Sequence, residues 1–271
     1  MHINNRIGID VGERLSVEDA VQWALDNDVA YIDCRIDLAP NALESFDEAR
    51  CAPIREKCAA NGVHLGLHTL SAVNIAEVSP FVRDATDVYL KAYVDAAARL
   101  KAEWVEVHAG YHFTSDVEIR MKAGLERLKR TTAYAEEKGV KLLLENLNGE
   151  PEHAEVNYLA HTVEECRYYF DAIASPALSW VFTINHATLV PEGIAGFLDG
   201  MPTERMAVVR LADNHGKYED HMYPGEGIID FTDMFSRVEA TGFDGHYMSA
   251  YGSLDDMLRG RDYLVGCFPG K

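Results

Sequence analysis

Eight times along the chain a short β-branched or aliphatic run ends in a polar residue and gives way to a stretch with helical periodicity. The runs occupy residues 6–10, 30–35, 64–68, 104–108, 141–145, 178–183, 207–212 and 246–250. Between successive runs there is always room for a helix, which a parallel crossover requires. Strand and helix alternating in this way predict an α/β fold of one kind, the (β/α)8 or TIM barrel, whose reacting groups stand where strands pass into the following loops. The length agrees: 271 residues suit one barrel domain over 1–271, and no linker or low-complexity segment divides it. Helices are predicted over 16–27, 81–100, 117–137 and 254–265 among others. In the first, Ser16 and Asp19 have the spacing of a capping pair, and Val21, Trp23 and Ala24 form an apolar stripe.

Charge narrows the function. A formal net charge of −19 repels a polyanion, and no Lys/Arg-rich segment offsets it, so nucleic acid is excluded as a partner and a small-molecule substrate is favoured. With 48% hydrophobic and 25% charged residues the chain has material for a large core. Cys34, Cys51, Cys58, Cys166 and Cys267 are odd in number and lack CxxC spacing, which predicts neither disulfides nor a zinc ribbon and fits a reducing, cytoplasmic setting. No charged-then-apolar leader and no run of about 18 apolar residues occurs, so neither export by that route nor membrane insertion is expected. Homo-oligomerisation stays open.

A single histidine at a strand end is ordinarily structural or solvated, the reading given to His64, His112, His153 and His161. His68, His108, Glu145 and His186 differ because they fall at the same end of successive strands, where a barrel brings them within reach of one another. Glu145, just after a buried strand, suits a ligand or a general base with a raised pKa. Arg210 is permanently cationic; it either serves the substrate or forms an ion pair with Glu145 or Asp213. Arg35, beside Asp33, offers an anion contact. Tyr111, His112, Phe113, Trp180, Tyr223 and Tyr247 are candidates for the pocket wall or for packing, and Glu226 lies in a Gly-Glu-Gly turn that favours glycine dihedrals.

The segments LLLEN (142–146), NHA (185–187), ADNHG (212–216), DHMYPGEGIIDF (220–231) and GFDGHY (242–247) resemble the xylose isomerase-like TIM barrels, which include sugar-phosphate isomerases and epimerases and endonuclease IV. The resemblance covers nearly the whole chain. It implies that the loop containing Asp213, His221 and Glu226 closes over substrate, so these join His68 and Arg35 as substrate-binding candidates. Glu145, His108, His186 and Arg210 are the catalytic candidates. Epimerases of this kind hold one divalent ion with a Glu, an Asp, a His and a second Glu from strands five to eight. The matching residues here are Glu145, Thr183, Arg210 and Ala250, so that site is expected to be lost. Two subsites of the endonuclease IV type match better: His68, His108 and Glu145 for zinc or manganese, and His186, Glu219 and His221. The alternative is that Arg210 stands in for the lost ion.

The resemblance thus implies a sugar isomerase/epimerase-like enzyme that removes a proton next to a carbonyl on a small polyhydroxylated or keto-acid substrate. Only one of the family's two metal-bound glutamates remains, with His108, His186 or Asp213 as second acid. A metal-independent lyase, a dehydratase or decarboxylase on a related oxo-acid or keto-sugar, is therefore the alternative. A non-catalytic sugar-binding relative is a third reading.

Overall fold

The structure, a computed structural model, describes residues 3–113 and 116–269. In chain order the strands are β1 (Ile7–Gly12), β2 (Tyr31–Cys34), β3 (His64–His68), β4 (Trp104–Val107), β5 (Tyr111–Phe113), β6 (Lys141–Glu145), β7 (Val156–Tyr158), β8 (Leu178–Thr183), β9 (Met206–Leu211) and β10 (His246–Ser249). The helices are α1 (Val17–Asp26), α2 (Glu48–Asn61), α3 (Pro80–Leu100), α4 (Val117–Lys138), α5 (Val163–Ala172), α6 (Ile184–Ala187), α7 (Gly193–Gly200), α8 (Phe231–Ala240) and α9 (Leu254–Cys267). Eight parallel strands close into a barrel in the order β1, β10, β9, β8, β6, β4, β3, β2, which is the (β/α)8 fold. The Ser16 side chain accepts the Asp19 N–H and starts α1, whose Val21 and Ala24 are buried. A short two-stranded antiparallel sheet, β5 with β7, was not expected; it lies outside the barrel and pairs Tyr111 with Tyr158.

Alternation along the strands sorts the core into two parts. Ile9, Ile32, Leu67, Val107, Leu144, Phe182, Val209 and Tyr247 face outward and merge with the buried helix faces into one large cluster. Each such side chain contributes about 1.5–3 kcal/mol on burial, so this outer layer drives closure. The inward positions of opposite parity form a small apolar plug of Trp104, Leu143, Val181, Val208 and Met248. Two residues further along the same inward rows stand Glu106, Glu145, Thr183, Arg210 and Ala250. The barrel interior is therefore apolar at its N-terminal end and charged towards its mouth. At the N-terminal end Tyr31 is stacked between His64 and His246, with ring centroids 4.4 and 4.2 Å away, and His64 Nδ1 pairs with Glu103 at 2.5 Å, a structural use of that histidine. The five cysteines are free thiols, and among the described residues no helix is long and apolar enough to cross a membrane.

Candidate active site

The C-terminal ends of the barrel strands open into a cavity of 360 Å³ whose floor is ionic. From β9 the Arg210 side chain crosses the barrel: one terminal nitrogen donates to Asp33 Oδ2 and Glu106 Oε2, each at 3.0 Å, and the other to Asp10 Oδ2. Trp104 Nε1 donates to the second Asp33 oxygen at 2.7 Å. Gly66 makes room for that contact, since a Cβ there would lie 2.0 Å from the indole and 2.3 Å from Asp33 Oδ1. Burial pushes the Asp33 carboxyl up to about 7 despite Arg210, and burial likewise pushes Glu106 well above the carboxylate range. The upward shift of these two acids lessens the negative charge that one guanidinium has to balance. The expected partners of Arg210 were Glu145 or Asp213; the structure gives Asp10, Asp33 and Glu106 instead. Arg210 is thereby committed to the floor, although it still lines the cavity.

Above this layer His68 Nε2 and His108 Nε2 face each other at 3.1 Å. His68 Nε2 lies 3.3 Å from Glu106 Oε1, a buried oxygen with no hydrogen-bond donor, and His108 Nε2 lies 3.1 Å from Glu145 Oε2. The other Glu145 oxygen accepts from Thr183 Oγ1 and lies 3.5 Å from His186 Nδ1. Burial alone would raise the Glu145 carboxyl, but His186 and His108 beside it hold it well below the ordinary range, the opposite of the raised value expected for a base. Burial, then Arg210 and His108, push His68 well below the usual imidazole range.

His186, in the short helix α6, donates Nδ1–H to the Asn146 carbonyl at 2.9 Å, and His221 directs its Nδ1 at the Ala250 carbonyl. Both Nε2 atoms then converge on Glu219 Oε1, that of His186 at 3.4 Å. Imidazole lone pairs aimed at a carboxylate repel unless a proton or a cation lies between them, and Nδ1–H anchored on a backbone carbonyl is the usual support of a metal-ligating histidine. Burial would raise Glu219, but the two histidines outweigh it and hold the carboxyl at about 2. Thr183, Arg210 and Ala250 belong to neither His/Glu cluster.

The sequence pattern shared by xylose isomerase-like TIM barrels matches residues 21–263. The chain belongs to that family. Among solved structures of xylose isomerase-like barrels it is similar to a D-tagatose 3-epimerase-like protein, with TM-score 0.82, 21% identity, and 97% of this chain and 96% of the other covered. It is also similar to the D-psicose 3-epimerase of Clostridium cellulolyticum H10, with TM-score 0.78, 13% identity, and 96% and 97% covered. An uncharacterised protein of Methanocaldococcus jannaschii is 25% identical over 202 residues, 72% of this chain and 66%, just under two thirds, of that protein.

Within this xylose isomerase-like barrel, His68, His108, Glu145, His186, Arg210, Arg35 and His221 all line the one cavity, and Asp213 and Glu226 do not. Asp213 is fully buried and turned back into its own loop, where it accepts the backbone N–H groups of Asn214, Gly225, Gly227 and Ile229 at 2.9–3.1 Å. Gly227 permits this, because a Cβ there would lie 2.3 Å from Asp213 Oδ1. Glu226 is exposed, beside a second hollow that it shares with His221, Tyr223 and Tyr251. Asp213→Asn turns an amide donor toward those N–H groups and should cost about 1–3 kcal/mol. Faster proteolytic nicking of residues 214–230 would report the loosened loop, and an unchanged nicking rate would deny Asp213 this role. None of the aromatic residues proposed for the wall lines the cavity; Tyr158, on the unexpected two-stranded sheet, and Tyr251 do. Trp180 instead packs outside the barrel against Phe182 and Phe197. Sequence reasoning also missed Glu106, Asp10 and Glu150, of which the last two line the cavity.

Proposed function

We propose that the protein is an isomerase or epimerase of small polyhydroxylated carbonyl compounds, with Glu145 as the group that moves the proton. The observation that carries this reading is the convergence on one cavity wall of a buried carboxylate held anionic with two imidazoles, those of His108 and His186, within 3.1 and 3.5 Å of its oxygens. The family and the epimerases similar in fold support it. In the proposed step the carbon next to the carbonyl loses its proton to Glu145, and the electron pair moves into an enediolate. Reprotonation at the same carbon from the opposite face gives an epimer; at the adjacent carbon it gives an isomer. His186 and His221 also line this cavity and can hold or return that proton.

His68, Glu106, His108 and Glu145 place one nitrogen or oxygen each within 4.8 Å of the others, as do His186, Glu219 and His221. The unpartnered Glu106 oxygen and the facing Nε2 atoms fit a divalent cation, with nitrogen and oxygen donors suited to zinc or manganese. When bound, such an ion would supply Lewis-acid polarisation of the carbonyl. Zinc at about a hundred times its dissociation constant should stabilise the chain by about 2.7 kcal/mol in urea unfolding. His108→Ala should remove the shift belonging to the first cluster, and no shift with zinc or manganese would take ions out of the reading.

The direct test is a panel of ketoses and keto acids, neutral and charged, incubated with the protein in heavy water and followed by NMR. The expected result is deuterium at the carbon next to the carbonyl together with a new epimer or isomer. Turnover without deuterium uptake, or none on the whole panel, would count against proton transfer by Glu145.

A further inference from the structure

We infer that the substrate is an anion whose carboxylate or phosphate is held by Arg35 together with Arg14 at the β1–β2 side of the mouth. The inference rests on the isomerase reading above and specifies the substrate class for the same cavity.

Among the described residues Arg35 is the one arginine with neither a hydrogen bond nor an ion pair on its side chain, and it lines the cavity half-buried. The other cation of the floor, Arg210, is spent on Asp10, Asp33 and Glu106. Arg14 also lines the cavity and bonds only to backbone carbonyls, those of Asp10, Val11 and Gly252. The two guanidinia meet over Gly12, which ends β1 in a left-handed conformation, φ +58°, at an irregularity in the β1–β2 pairing. A Cβ on Gly12 would lie 3.2 Å from an Arg14 terminal nitrogen and 3.4 Å from one of Arg35, so both cations press on the same piece of backbone. The Arg35 N–H is fixed to the Gly12 carbonyl at 2.9 Å, which ties its Cα to that turn.

Two adjacent guanidinia repel each other, and that of Arg35 has no ion-pair partner among the described residues. Asp10 Oδ1 lies 3.4 Å from the same Gly12 point, but the other oxygen of that carboxylate is already paired with Arg210, so it offsets part of one charge. A ligand carboxylate or phosphate satisfies the fork geometry of both arginines, whereas a hydroxyl satisfies one N–H at a time. The chain as a whole, at −19, repels anions, so selection of one depends on such a local pair of cations.

The test is isothermal titration of the full chain with D-gluconate, D-sorbitol 6-phosphate and D-sorbitol, which share a polyol chain and differ in the terminal group. One of the two anions should bind at least about tenfold more tightly than sorbitol, and the tighter one identifies carboxylate or phosphate. The advantage should shrink with added salt. Arg35→Gln, which breaks no side-chain hydrogen bond or ion pair among the described residues, should bring the anion to the affinity of sorbitol, and Arg35→Lys should retain part of the difference. Equal affinity for all three, or an anion advantage that survives Arg35→Gln combined with Arg14→Gln, overturns the inference. Binding of sorbitol alone, or of none of the three, overturns it; the isomerase reading is decided separately by the heavy-water panel.

Discussion

Glu145→Gln should lower turnover by about 10² or more while the chain stays folded. Glutamine keeps the size of the side chain, and its carbonyl oxygen can still accept from Thr183 Oγ1. What it loses is the anion facing His108 Nε2 at 3.1 Å, and with it both the proton acceptor and one charged donor of the His68 cluster. The effect should fall on kcat, because the carboxylate is used as the proton moves and not in holding the rest of the substrate. Deuterium uptake from heavy water should fall in parallel. Near-normal turnover in this variant, with His108 or His186 variants inactive, would reduce Glu145 to a partner of those imidazoles and pass the proton transfer to histidine.

The second large effect is on stability. Arg210→Met removes the one cation on which Asp10, Asp33 and Glu106 converge and should cost about 3–5 kcal/mol, the range for breaking a buried ionic group from one side. The loss should depend on pH in a definite direction. Without the guanidinium the buried carboxyls rise further above their unfolded values. A group with a raised folded pKa favours folding fully below its unfolded pKa, and that advantage is lost as pH climbs through the folded value. Asp33 already sits at about 7 with Arg210 present, and Glu106 is also raised. The gap between wild type and variant should therefore be small at about pH 5 and widen towards about pH 8, as read by urea unfolding. A gap under about 1 kcal/mol at both values would mean that the acids had simply kept their protons, and that Arg210 contributes little.

Much of this architecture was legible in the chain, and the reasons are local. Helix period, strand length and caps such as Ser16 act over a few residues, so the barrel strands and the long helices could be placed from sequence. His68, His108, Glu145 and His186 stood out because each closes or directly follows an apolar strand. Glu106 did not, because WVEVH reads as a buried strand with one charge in it. The available signal was parity: Glu106 shares the inward row of Trp104 and His108, as Asp33 shares that of Tyr31. The partners of Arg210 were beyond local reasoning, since they lie 104 to 200 residues away and are chosen by the stagger with which the barrel closes. Asp213 misled for another reason. It ends its strand in the manner of a reacting group, yet the glycines that follow let its own loop fold onto it. The small sheet of β5 and β7 is three residues a side, and its strands lie about 40 residues apart in the chain, so it leaves no local pattern.

The group around Arg210 also bears on how the barrel comes apart. Its members come from β1, β2, β4 and β9, strands that are not neighbours of one another except for β1 and β2, so the side chains brace the ring across its width. A cylinder held only by pairing between adjacent strands can part along any one seam. Here, opening the seam between β9 and β10, or that between β4 and β6, leaves Arg210 still joined to the far wall. Fraying is thus confined to the loops and outer helices, and the slowest amide protons of those four strands should exchange together, as one cooperative unit.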